Sequence, residues 1–313
     1  MKLQAFSEQE KDGGLLQKRQ NFKMFCSNSG KTTVTSTMKA MALDNLFPER
    51  LQRAAMEYFA TDALGAALLR QHAVHPGPGG GPDTESFDPS VARLLHRREQ
   101  EQALSYRLAK RRNEFLAGRI AARLALAQYW AAKSGRQALP EVEIINDSKG
   151  RPWVRMKLVP GEDNMPPPEI SISHGGAYGA AMASDAPCGI DLQEQQGTLL
   201  RVRDKYCSTE EDRVLVNFLP EMTPSARLSL LWTAKEAAKK ACSCRWMPGF
   251  LDLRLDLPMQ RQDGWYVLEL ALTRAPEDLL LPAKLSVLAT TFNEYGLAVC
   301  ILTESRHAGT AGS

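Results

Sequence analysis

The hydrophobic pattern changes period several times along the chain. From Pro48 to Arg70 apolar positions recur at helical spacing and predict an amphipathic helix. The stretch HPGPGGGPDTESFDPS (75–90) denies both helix and strand, because Pro and Gly suit neither, and predicts a linker or exposed loop. A long helical run follows from about 91 to 134. After Gly135 the pattern shortens into strands: VEII (142–145), PWVRMKLV (152–159), EISIS (169–173), a small-residue strand around 177–183, and GIDLQ (189–193). Helices return at 209–218 and 224–243, and strands at 251–257, 265–273, 284–292 and 297–303 close the chain. NEYG joins the last two as a hairpin.

Helices followed by strands, twice over, predict an α+β protein of two similarly built halves. The expected division is a polar tail over 1–45, a first half over 46–190 that contains the 75–90 loop, a second half over 191–304, and a flexible tail over 305–313. No sequence repeat is visible. Met38 or Met41 offers an alternative start, which would leave the first 40 residues as an extension. SNSGKTT in that tail suggests a phosphate loop, but the position that must be Gly is Phe25, so the pattern fails.

The helix around LWTAKEAAKK, Leu231–Lys240, poses a problem. At 100° per residue Leu228, Leu231, Trp232 and Cys242 line one stripe. Lys235 and Lys239 fall within that stripe, and Glu236 lies at its edge. Ammonium groups on a core-facing stripe need compensating charge, from a phosphate-rich ligand or from carboxylates of the chain.

Composition narrows the choice. Hydrophobic residues make up 43% and charged residues 24% of the 313, as in ordinary globular proteins. A net charge of +3 is too small to argue for nucleic acid. The six cysteines show no paired or zinc-type spacing, and reduced thiols in a cytoplasmic protein are the expectation. No apolar run reaches the length of a membrane span, and the first 25 residues lack the apolar core of a signal peptide.

Several residues carry candidate chemistry. In GIDLQ, period two puts Asp191 and Gln193 on one face, where their oxygens suit a hard cation such as magnesium; a solvent-facing edge pair is the bland alternative. SISHGG ends a strand with Ser173 and His174, able to bond phosphate oxygens, although a lone His there is usually structural. Between Arg97 and Arg123 eight Lys/Arg face three Glu, and Arg112, Arg119 and Arg123 lie within about 40° on a helical wheel. That arrangement suits a multiply charged anion, or equally arginines snorkelling over the core edge. Arg151 adds a cation before a strand.

The Arg-rich helix KRRNEFLAGRIAARLAL, then GRPW, SISH, GIDL and WTAKEAAKK, occur in an order that resembles the Sfp-type 4′-phosphopantetheinyl transferase family, particularly its enterobactin-associated branch. The resemblance covers roughly residues 95–303. It implies a pseudo-twofold pair of α+β halves with the active site between them. It implies Mg²⁺-dependent transfer of the phosphopantetheine arm of coenzyme A to a serine of an acyl, peptidyl or aryl carrier protein, with release of 3′,5′-ADP. By similarity Asp191 and Glu236 would ligate the metal, with Gln193 where the family's usual third carboxylate stands. Lys239 and Lys235 would face the diphosphate, and Ser173, His174, Arg151, Arg112 and Arg119 would hold the coenzyme. Glu210 aligns with a Glu proposed as base toward the serine, though STEE is equally a capping sequence. The resemblance implies a monomer, with neither nucleic acid nor membrane as partner. The alternatives are a non-catalytic module that binds coenzyme A or a carrier protein, and a nucleic-acid binder that uses the Arg helix.

Overall fold

The computed structural model describes residues 46–71, 89–135, 142–156, 166–261, 263–276, 279 and 281–302. The two expected tails, the glycine-rich loop up to position 88, and SNSGKTT lie outside the described residues.

The first half begins with α1 (Leu46–Phe59) and β1 (Leu64–Arg70), continues through α2 (Pro89–Ala92), α3 (Arg97–Ser105) and α4 (Ala109–Ser134), and ends with the strands β2 (Val142–Asn146), β3 (Pro152–Met156), β4 (Glu169–Gly175) and β5 (Tyr178–Ser184). The second contains β6 (Cys188–Glu194), α5 (Gly197–Arg201), α6 (Thr209–Phe218), α7 (Pro224–Cys242), β7 (Leu253–Gln260), β8 (Tyr266–Leu272), β9 (Lys284–Phe292) and β10 (Tyr295–Ile301). Sheet order is β1-β5-β4 in the first half and β6-β10-β9-β8-β7 in the second, with β2-β3 as a separate hairpin. In both halves the first strand pairs with the last, and the last with the one before it, all antiparallel. The sheets divide between Ser184 and Cys188, so a boundary at 190/191 would cut through β6.

One expected element is replaced. LGAALLR (64–70) is a strand, not the end of a helix, and the break falls at Ala60, whose φ is +49°. The segment is buried on both faces, so it lacks the alternation that marks a half-exposed strand. Gly65 explains the choice of residues: a Cβ there would stand 1.7 Å from the Ala125 carbonyl oxygen of α4. The 91–134 run is also three helices, broken after Ala92 and Ser105. The last hairpin turns on Asn293 and Glu294, both at positive φ, as a two-residue type I′ turn requires.

α4 packs on β1, β5 and β4 through Leu116, Ile120, Leu126 and Trp130, and α7 packs on the second sheet through Leu231, Ala234, Ala238 and Cys242. The opposite faces of both sheets share a core of Leu64, Leu68, Met182, Ile190, Leu192 and Leu297, covered by Leu51, Ala55 and Phe59 of α1. Each fully buried leucine contributes about 1.5–3 kcal/mol. Among the described residues no helix is long and apolar enough to cross a membrane.

The halves repeat one another. α4 rests on Gly65 through Ala125, and α7 rests on Gly189 through Ala237, whose oxygen a Cβ would meet at 1.9 Å. Glu99 pairs with Arg123 at 2.5 Å and Glu211 with Lys235 at 2.7 Å. The helical members of these pairs lie 112 positions after their counterparts (99 to 211, 123 to 235, 125 to 237).

Candidate active site

The site is built on the line where the two sheets meet. β4 and β6 belong to different sheets, and serine hydroxyls bridge them: Ser171 Oγ accepts from Ile190 N–H at 3.0 Å and Ser173 Oγ from Leu192 N–H at 3.2 Å. Alternation along β6 sends Ile190 and Leu192 into the shared core and Gly189, Asp191 and Gln193 toward α7. Asp191 is 7% exposed. Its Oδ1 accepts from Ser173 Oγ at 2.8 Å and from Lys240 Nζ at 2.7 Å. Glu236 lies one turn before Lys240 on the same face of α7. Glu236 Oε1 accepts from Lys239 Nζ at 3.1 Å, and that ammonium stands 3.7 Å from the centroid of the Phe250 ring. Gln193 Nε2 donates to Glu194 O at 3.0 Å, which leaves its oxygen end outside that bond.

A cavity of about 260 Å³ opens beside this line, against α4 and the β2–β3 hairpin. Arg111, Glu114, Phe115, Arg119, Asn146 and His174 are among its walls. Arg119 is 5% exposed; its guanidinium lies 5.1 Å from the Phe115 ring and donates to Asn146 Oδ1 at 2.9 Å. Its Nη1 is buried without a hydrogen-bond partner, and burial lowers the pKa of the group. A buried donor left unpaired costs about 1–3 kcal/mol, and an anionic ligand would relieve that cost. His174 stands at the cavity wall with its pKa lowered, chiefly by burial, against an opposing pull from Glu114. Ser173 and His174 are adjacent on β4: one holds Asp191 and the other meets the cavity.

Four expected residues stand elsewhere. Lys235 is fully buried among apolar side chains, paired with Glu211 and donating to Tyr206 O at 2.7 Å and Phe250 O at 3.2 Å. The lysine inside the apolar stripe is therefore satisfied by a carboxylate of the chain and faces no cleft. Arg112 donates to Tyr106 O at 3.3 Å and is not a wall of the cavity; its neighbour Arg111 is. Arg151 pairs with Glu169 of β4, while Gly150 and Pro152 on either side line the cavity. Glu210 is exposed in the first turn of α6, where Glu211 forms the capping box with Ser208. The backbone N–H at the helix start, then Ser208, hold the Glu210 carboxyl below the usual range.

Lys240 was missed, although the spacing W-x-x-K-E-x-x-x-K ends on it and not on Lys239. Arg111, Glu114 and Asn146 were also missed. The basic run signalled Arg111, but Asn146 at the end of β2 carries no local signal.

The donor set suits magnesium. Asp191 and Glu236 offer carboxylates and Gln193 an amide oxygen, the hard ligands this ion takes. Among the described residues no three His, Cys, Asp or Glu side chains gather into a metal cage, so water and ligand oxygens would complete the shell.

Comparison with known proteins bears on the same region. A sequence model of the 4′-phosphopantetheinyl transferase superfamily matches residues 187–300. Enterobactin synthase component D of Escherichia coli O157:H7 is 32% identical over 150 residues, which are 47% of this chain and 62% of that protein. The chain thus spans less than two thirds of the length of that relative. Holo-[acyl-carrier-protein] synthase of Bacillus subtilis (strain 168) is 36% identical over 91 residues, 28% of this chain and 70% of that protein. A crystal structure of a holo-(acyl-carrier-protein) synthase from Bacillus anthracis, in complex with CoA (3′,5′-ADP), aligns over 39% of this chain and 93% of that one, at 19% identity and a TM-score of 0.27. With α7, Asp191 and the seam strand β6 all inside the matched region, the chain belongs to the 4′-phosphopantetheinyl transferase superfamily.

Proposed function

We propose that the protein transfers the 4′-phosphopantetheine arm of coenzyme A to a serine of an apo carrier protein, with Mg²⁺, and releases 3′,5′-ADP. The observation that carries this reading is the paired arrangement on β4: Ser173 fixes the Asp191 carboxylate while its neighbour His174 lines a cavity with an unsatisfied, buried arginine. A metal carboxylate and an anion pocket one residue apart suit a ligand with a metal-bridged diphosphate at one end and a further phosphate at the other.

Asp191, Glu236 and the Gln193 oxygen would hold the magnesium. When bound, that ion neutralises diphosphate charge as the P–O bond breaks. Arg119 would orient the nucleotide end through its free Nη1, and Asn146 and Phe115 hold the guanidinium in place for that contact. Lys239 is held by Glu236 and Phe250, which places a cation beside the metal carboxylate for the charge that develops in transfer. One chain supplies both walls of the site, so we propose that it works as a monomer.

The test is intact-mass analysis of a panel of apo acyl, peptidyl and aryl carrier proteins incubated with the enzyme, coenzyme A and Mg²⁺. One phosphopantetheine added per carrier, abolished when the carrier serine is replaced by Ala, supports the reading. Tight binding of coenzyme A or carrier without any mass gain would establish the non-catalytic alternative.

A further inference from the structure

The turn that follows His174 belongs to the first half of the chain but is held by the second. Gly175 pairs with Tyr178, so Gly176 and Ala177 form a two-residue loop between β4 and β5. Gly176, at φ +52°, takes the first central position, where a type II′ turn needs a positive φ. The loop is exposed to solvent. Ala177 O accepts from Gln71 N–H at 2.7 Å, and Ala177 N–H donates to Tyr295 Oη at 3.0 Å.

Tyr295 is itself firmly held. It is 7% exposed, lies edge-on to the Tyr178 ring at 5.0 Å and stacks on Phe292 at 5.8 Å. It opens β10 directly after the Asn293–Glu294 turn and pairs with Glu194 at the end of β6, the strand that carries Asp191. The loop fits closely against both: a Cβ on Gly176 would stand 2.1 Å from the Tyr295 hydroxyl, and one on Gly175 2.6 Å from Leu192 O of β6. His174 immediately precedes this clamp, opposite Gly179, which rests on α4 at Ala117. Tyr295 is not a wall of the cavity, whereas His174 is. Any effect of Tyr295 on a ligand therefore passes through the turn.

We infer that Tyr295 is a positioning residue of the coenzyme site: its hydroxyl holds the β4–β5 turn, and with it His174, at a fixed place relative to β6. The consequence for binding rests on the transferase reading above; the mechanical link between turn and His174 does not. A ligand that bridges a metal at Asp191 and an anion pocket at His174 needs their separation set in advance. A loosened turn then weakens binding and leaves the chemical step alone.

Magnetic resonance and calorimetry test the link together. Tyr295→Phe keeps the aromatic contacts and should fold, while its Ala177 amide exchanges about tenfold faster or more and amides of the β8–β9 ladder keep their wild-type rates. The His174 ring signal, assigned by its absence in His174→Gln, should move. The Kd for coenzyme A should rise about five- to tenfold, with the turnover number at saturating coenzyme A within about twofold of the wild type. In a His174→Gln background the same Phe substitution should change Kd by less than about twofold, because the group it acts through is gone. An unmoved His174 signal, or equal losses of affinity in both backgrounds, overturns the inference. Should the wild type bind no coenzyme A, the transferase reading fails, and the His174 signal still decides for or against the link.

Discussion

Lys235 Nζ stands 2.7 Å from Glu211 Oε1, with both side chains buried, and Glu211 also accepts from Ser208 N–H at 2.8 Å and Leu255 N–H at 2.7 Å. One carboxylate thus caps α6, holds β7 and neutralises a lysine of α7. Burial lowers the Lys235 pKa, and Glu211 pulls it back.

Breaking this pair should be costly. Lys235→Met alone leaves a buried carboxylate uncompensated and should lower stability by about 3–5 kcal/mol in denaturant unfolding. The double variant Glu211→Gln/Lys235→Met keeps one side-chain oxygen for the cap, removes both charges and should recover part of the loss. A double variant as unstable as the single one would refute the charge explanation.

Arg119 should govern coenzyme affinity. A charge-assisted hydrogen bond is worth about 1.5–3 kcal/mol, so Arg119→Ala should weaken coenzyme A binding by roughly 10- to 100-fold in calorimetry. Arg119→Lys should not restore it, because an ammonium cannot span Asn146 and a ligand with a planar fork. Full rescue by Lys would contradict the geometry.

His174 gives the pH dependence. Partial desolvation of the ring at the cavity wall lowers its pKa below the ordinary value, so it protonates at lower pH than a free imidazole. For stability, the unfolded chain protonates first as pH falls, so this group favours the fold above about 6.5 and that contribution is lost below it. For binding the sign is opposite, since a protonated ring attracts phosphate. Relative to His174→Gln, the wild type should gain coenzyme A affinity as pH drops below 6.5; parallel profiles would exclude His174 from the anion site.

Two further substitutions separate the site from its surroundings. Gln193→Glu adds a charged oxygen beside Asp191 and should tighten Mg²⁺ binding in titration calorimetry. Glu210→Gln should leave the transfer rate within about twofold, because an exposed carboxylate of lowered pKa is a poor proton acceptor. Equal metal affinity in the first variant, or a lost acidic limb in the pH–rate profile of the second, would correct these assignments.

Much of the fold was legible where chemistry and period agree. GIDLQ has alternation, and α6 and β9 match their expected bounds of 209–218 and 284–292. LGAALLR was not legible, because a strand buried on both faces and rich in Ala carries a helical composition. The repeat was hidden for a different reason. His96 answers Ser208 and Arg123 answers Lys235, each doing the work of its counterpart with another residue type. Lys235 looked like a ligand-facing lysine because its partner, Glu211, sits on a different helix and only the tertiary fold brings them together.

The most direct test of the account compares carrier loading by the wild type and by Asp191→Ala/Glu236→Ala, followed by intact mass under saturating coenzyme A and Mg²⁺. The account predicts one phosphopantetheine per carrier from the wild type and a rate lower by about a thousandfold or more in the double variant. Loading by the double variant at the native rate would contradict it.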